Sequence, residues 1–290
     1  MKQLIPLLAI FFIGSVNANT ILTSIRPIQM ISYEITQGVT EPDVLLDSNT
    51  SPHDYALKPS DIKRIRSADL VIWFGQDLEP FLSKVLEGQT NILTISEIEG
   101  LELREFSGNE HEHDSHHHGS HDPHFWLGQK QSLHVAKAIS QKLSEVDPSH
   151  KEKYQSNYQA FVTKANQSFQ EWQEALDPVK SVGYYVFHDA YGYFEQDYGL
   201  NHLGHFTVTP DRKPGAKTLI HIRKTLAKGD AKCVFSEPQF TPAVIESVTR
   251  GSKANIGELD PLGSQISVGP NSYFAFLQSI TDSFTHCLRR

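Results

Sequence analysis

Several things are scarce in this 290-residue chain, and each scarcity narrows what it can be. Cysteine is nearly absent: Cys233 and Cys287 stand alone, far from any C-x-x-C spacing. That argues against a thiolate cage of the zinc-finger kind. Positive charge is in deficit, with 26 Lys and Arg against 34 Asp and Glu and a formal net charge of -8. An acidic chain is a poor partner for nucleic acid but suits a cation. The zinc-protease signature H-E-x-x-H is missing, which removes the best-known zinc hydrolase site. Long apolar runs are missing too. The run from Leu4 to Ile13 is broken by Pro6 and falls short of the roughly 20 residues that a spanning helix needs.

That short run has another reading. Lys2, the apolar stretch and the small-residue end Val16-Asn17-Ala18 form a secretory signal peptide, with cleavage expected after Ala18. The mature chain is then expected to be soluble and exported. In an oxidising compartment the two cysteines favour a disulfide over two free thiols, with thiolate metal binding as the alternative.

Histidine, by contrast, is abundant and clustered. Seven of the 15 histidines fall between Gly108 and Leu127: His111, His113, His116, His117, His118, His121 and His124. Glu110, Glu112, Asp114 and Asp122 sit among them. Imidazole suits zinc, copper and nickel, and neighbouring carboxylates can ligate or support the ligands. A tract of this kind reads as metal binding rather than as a merely solvated polar loop. Its end differs from the rest, because His124 abuts the apolar trio Phe125-Trp126-Leu127. The tract therefore divides into a polar part, His111 to His121, and an anchored histidine, His124.

The remaining pattern alternates strand and helix. Apolar runs at Ile21–Ile25, Val44–Leu46, Leu70–Phe74 and Ile92–Ile95 read as strands, with helices after Lys58 and over Leu78–Leu86. Gln129–Val146 is amphipathic. His150 to Leu176 contains neither glycine nor proline, and Tyr154, Tyr158, Phe161, Ala165, Phe169 and Trp172 recur at three- and four-residue steps. This predicts one long helix whose aromatic stripe is core. Alternation then resumes: strands near Tyr184–Phe187, Leu203–Val208, Lys232–Phe235 and Ala254–Ile256, and helices over Ala216–Lys228, Pro242–Thr249 and Tyr273–Cys287. The fold class is α/β, with two lobes, each a mainly parallel sheet flanked by helices, joined by one long rigid helix. The expected divisions are a signal peptide at 1–18, a first lobe at 19–147 with the His-rich loop at 108–123, a linker helix at 148–177 and a second lobe at 178–290.

In such sheets ligands bind outside the carboxyl ends of the strands. His53, His124, His188 and Asp260 all fall at that kind of position, two in each half, which points to a metal held between lobes. The motifs around them carry a resemblance. S-P-H-D-Y-A-L-K-P-S-D (Ser51 to Asp61), D-P-H-F-W-L (Asp122 to Leu127), F-H-D-A-Y-G-Y-F (Phe187 to Phe194), P-G-A-K (Pro214 to Lys217), F-S-E-P-Q-F (Phe235 to Phe240) and L-D-P-L-G (Leu259 to Gly263) are similar to those of the periplasmic zinc-binding proteins of zinc ABC importers, the ZnuA group. They run in order through essentially the whole mature chain.

The resemblance implies two α/β lobes on a rigid helix, with zinc (Zn2+) as the transported ligand between them. It implies His53, His124 and His188 as metal ligands and Asp260 at the place of a carboxylate ligand. It also implies a disulfide between Cys233 and Cys287, and an auxiliary zinc-collecting role for the loop histidines. The implied partner is an ABC permease with its ATPase, served by a monomer without enzymatic activity. Manganese-binding relatives carry Glu where this chain has His188, and three imidazoles favour zinc. One departure is Pro52, where some relatives have Glu, so Asp260 or water must fill the fourth tetrahedral position. The alternatives are a metal-dependent adhesin on the same scaffold and a secreted zinc hydrolase. For the latter, H-E-H-D-S-H (His111 to His116) only approaches the metallo-β-lactamase pattern, with its aspartate one place early.

Overall fold

The computed structural model describes residues 19–47, 49–105, 121–208, 210, 213–240 and 243–289. The expected signal peptide and loop residues His111, His113, His116, His117 and His118 lie outside that set. Among the described residues the strands form two four-stranded parallel sheets.

The first sheet takes β1 (Ile21–Thr23), β2 (Asp43–Val44), β3 (Leu70–Trp73) and β4 (Ile92–Thr94) in the order β2-β1-β3-β4. The second takes β5 (Gly183–His188), β6 (His202–Thr207), β7 (Ala231–Ser236) and β8 (Asn255–Glu258) in the equivalent order β6-β5-β7-β8. The central strands β1, β3 and β5 are buried along their whole length, as continuous apolar runs covered by helices on both faces require. The edge strand β8 alternates half-buried and exposed residues, which fits one covered face.

Helices α1 (Arg26–Thr36), α2 (Pro59–Ser67), α3 (Pro80–Leu86) and α4 (Gln129–Val146) belong with the first sheet. Helices α1, α2 and α3 each carry proline in the first turn, where its missing N–H costs nothing. The long helix α5 (Lys151–Leu176) has 26 residues, about 39 Å at 1.5 Å per residue. It buries Tyr154, Phe161, Ala165, Phe169 and Trp172 of the stripe expected of it, while Tyr158 is half-buried. Helices α6 (Gly192–Tyr198), α7 (Ala216–Lys228), α8 (Ala243–Thr249) and α9 (Ser272–Leu288) complete the chain. The short α6 was not foreseen. Its sequence, G-Y-F-E-Q-D-Y, has too few turns to show a helical period. Gly229 ends α7 with φ of 80°, a left-handed cap that suits glycine.

The final helix fastens the two halves together. Trp172 on α5 donates to Gln278 on α9 at 2.7 Å, and Phe161 packs on Tyr273 and Phe274 with ring centroids 5.6 and 5.2 Å apart. Tyr273 also donates to the Trp126 carbonyl at 2.7 Å, and the Trp126 indole donates to the Pro261 carbonyl at 2.8 Å. One continuous core therefore runs from Ile21 and Leu70 through the linker helix to Phe235 and Phe284. A smaller cluster, including Tyr185, Phe206, Ile222 and Val248, fills the outer face of the second sheet. The disulfide Cys233–Cys287 ties α9 to β7. No described helix is long and apolar enough to cross a membrane.

Candidate metal centre

The loops that leave the carboxyl ends of both sheets meet in a cleft, and three histidines converge there. His53 lies in the loop between β2 and α2. His124 begins the turn Phe125–Leu127 that leads into α4. His188 is the last residue of β5. Their rings lie 5.2 to 5.9 Å apart, and one nitrogen from each falls within 4.8 Å of the others. His124 and His188 are almost fully buried, and His53 is half-buried.

Two carboxylates set the rings. His124 Nδ1 is 2.7 Å from Asp122 Oδ1, and His188 Nδ1 is 2.7 and 2.8 Å from the two oxygens of Glu237. Carboxylates at those distances assign a proton to each Nδ1 and leave each Nε2 with a free lone pair. The two Nε2 atoms face each other at 3.3 Å. Two lone pairs at that distance repel unless a cation lies beside both. A tetrahedral zinc with Zn–N bonds of about 2.0–2.1 Å requires its nitrogens to be roughly 3.3–3.4 Å apart, so the pair is already spaced for the metal.

The surroundings favour the neutral form of two of these imidazoles, His53 and His124. Burial holds His53 well below the ordinary histidine range, and the nearby His124 and His188 push it the same way. Burial, followed by the proximity of His188, does the same for His124. Burial pushes the Asp122 carboxyl up to about 7, against the pull of Arg104. Trp126, Phe240, Pro52, Pro261 and Leu262 wall a cavity of about 20 Å³ beside the three rings. That is room for one water-sized occupant.

Asp260 is placed differently. It lies in the turn after β8 but outside the histidine group found among the described residues. Its carboxylate accepts from Gln239 at 2.8 Å, from the Leu262 amide at 3.1 Å, and from the Ser264 amide and hydroxyl at 2.5 and 2.6 Å. His121 sits at the root of the His-rich loop, where it bridges to Glu105 and lies 3.8 Å from Asp77. Glu237, Asp189 and Arg104 were not singled out from sequence. Glu237 had a signal, since it follows β7 directly and so occupies the same strand-end position as the histidines.

Fold and site together define a two-lobed protein with a three-histidine cluster, able to hold a metal ion, in the cleft between its sheets. A family model described as zinc-uptake complex component A, periplasmic, matches residues 21–287. The chain belongs to that family, the ZnuA proteins. It is 42% identical to the high-affinity zinc uptake system protein ZnuA of Yersinia pestis, over 93% of this chain and 91% of that one. Among solved structures it is similar to a ZnuA deletion mutant with zinc bound, with TM-score 0.80 and 25% identity over 94% of this chain and 98% of that one. A laminin-binding adhesin of Streptococcus agalactiae shares the fold at TM-score 0.79 and 21% identity, over 93% of this chain and 99% of that one.

Proposed function

We propose that this protein captures zinc outside the inner membrane through His53, His124 and His188 and hands it to an ABC permease driven by its ATPase. The observation that carries the reading is the pair of carboxylate-backed Nε2 atoms 3.3 Å apart, with His53 beside them. Zinc is cargo here, and no bond is made or broken by the chain. The protein works as a monomer in the periplasm after cleavage behind Ala18, with a first lobe at 19–147, a linker at 148–177 and a second lobe at 178–290. An adhesin role is not favoured, because the adhesin relative shares the fold at lower identity than the zinc uptake relative.

The fourth ligand is Asp260 or water. Asp260 would have to exchange an existing hydrogen bond, such as that from Gln239, for the metal, whereas water needs no such exchange. Asp260→Asn separates them: a large loss of affinity assigns the carboxylate, and a small one assigns water. His111, His113, His116, His117, His118 and His121 serve as a lower-affinity collector that feeds the cleft. Unchanged zinc uptake after deletion of 110–121, under severe zinc limitation, would remove that role.

The deciding experiment is native mass spectrometry of the mature protein lacking 110–121, equilibrated with zinc, manganese and a competing chelator. One retained zinc, lost in His188→Ala, is the expected result. No retained metal would refute the cleft as the zinc site.

A further inference from the structure

Beside the cleft lies a largely buried cation that the three histidines do not account for. Arg104, just before the His-rich loop, has a side chain only 12% exposed. Its Nε lies 3.1 Å from Asp122 Oδ2, and its Nη2 lies 2.8 Å from Asp189 Oδ1. Asp122 is the carboxylate behind His124, and Asp189 follows His188 in the chain. The backbone of Arg104 is engaged in the same two directions. Its N–H donates to the Tyr193 hydroxyl at 2.8 Å, its carbonyl accepts from the Asp122 amide at 2.6 Å, and Tyr193 donates to the Asp122 carbonyl at 2.8 Å. Arg104 thus bridges a segment that presents one ligand from the first lobe to a segment that presents another from the second.

An independent feature points to the same residue. A Cβ built on Gly192, the first residue of α6, would overlap the Arg104 guanidinium. Glycine there leaves the space in which the planar fork lies. Arginine suits the position because its donors reach two carboxylates in different directions at once, which a lysine ammonium on a flexible stem does not reproduce.

We propose, building on the zinc-capture reading above, that Arg104 is a positioning residue for the zinc site: by bridging Asp122 and Asp189 it sets how closely His124 approaches His188. Loss of a group that supports a metal ligand typically costs 10- to 100-fold in affinity.

The test uses the full mature protein with Arg104→Lys and, separately, Gly192→Ala, which displaces the guanidinium while leaving arginine in place. Zinc affinity is measured by chelator competition. The visible absorption of the cobalt-loaded proteins reports ligand geometry at saturation, and thermal midpoints of the metal-free proteins report the fold. Both variants are expected to weaken zinc binding by roughly 10-fold or more and to alter the cobalt bands. Wild-type affinity in both variants would overturn the proposal. So would weaker binding that follows a fallen midpoint with the cobalt spectrum unchanged, which is what a merely structural arginine gives. If Arg104→Lys does not fold, Gly192→Ala alone decides between these outcomes. Absence of a cleft zinc in the wild type would instead defeat the zinc-capture reading itself.

Discussion

Glu237 offers the sharpest numerical test of the site. It is 3% exposed, and both its oxygens lie within hydrogen-bonding distance of His188 Nδ1, at 2.7 and 2.8 Å. Tyr191 adds a weaker contact at 3.3 Å to the same carboxylate. In Glu237→Ala the His188 N–H would lose its acceptor inside a buried cleft. Leaving such a group unpaired costs about 1–3 kcal/mol. Part of that cost returns as freedom for the ring to turn, which spoils the direction of Nε2. The support of a metal-bound histidine is worth roughly 10- to 100-fold in affinity, or about 1.4–2.7 kcal/mol. The two routes agree, so zinc binding by Glu237→Ala is expected to weaken by one to two decades in chelator competition at pH 7.5. Glu237→Gln keeps an acceptor oxygen and should lose less. If Glu237→Ala binds within about twofold of wild type while its circular dichroism is unchanged, His188 does not depend on this carboxylate and the reasoning fails.

Three further outcomes are expected. In the metal-free protein His53 and His124 are held below the ordinary histidine range, chiefly by burial, so the unfolded chain binds more protons just below pH 6.5. Each group then removes up to about 1.4 kcal/mol of stability per pH unit as pH falls through that window. Burial raises the acids Glu34 and Glu79 to about 7, and these act with the opposite sign, losing stability as pH rises from about 4.5 to 7. The histidine contribution is therefore read as a shallower acid loss in His53→Gln than in wild type by thermal melts from pH 8 to 5, and parallel curves would contradict it. Replacing both cysteines by serine opens a link across a sequence separation of 54. Chain entropy puts the loss on the order of 4 kcal/mol, and denaturant unfolding with zinc stoichiometry intact checks it. Phe161→Ala on the linker helix removes a ring packed on Tyr273 and Phe274 and should cost about 3–5 kcal/mol, again by denaturant unfolding.

Much of this was legible in the chain because the signals are local. Leu70–Trp73 reads as a doubly covered strand from its run of apolar residues alone, and the stripe from Tyr154 to Trp172 reads as a packed helix from its spacing. His53, His124 and His188 could be picked out because parallel strands place whatever follows them at one edge, and that edge is where the cleft forms. What could not be read is pairing at a distance. Glu237 sits 49 residues from His188, and Arg104 sits 85 residues from Asp189. Nothing in either local sequence states that partnership. Asp260 illustrates the converse. Its strand-end position resembles that of the histidines, yet Gln239, Leu262 and Ser264 occupy its oxygens. Which way a carboxylate turns at the end of a strand depends on the donors around it, and those come from the fold.

The proposed division of ligands bears on how zinc can be both held and released. His53 and His124 come from loops of the first sheet, and His188 comes from the second with its supporting Glu237. If water fills the fourth position, tetrahedral zinc with three protein ligands keeps an open face. Moving one lobe against the other would withdraw His188 and Glu237 together, because their contact lies within the second sheet's own strand ends β5 and β7. His124 and Asp122 would stay paired in the same way on the other side. Two intact imidazole–carboxylate pairs would remain, and the site would lose one of its three imidazoles in a single step. A ligand set split two and one between lobes, with each half internally braced, makes affinity a function of the distance between the lobes. That is the property a carrier needs in order to bind tightly in solution and give up its cargo when docked.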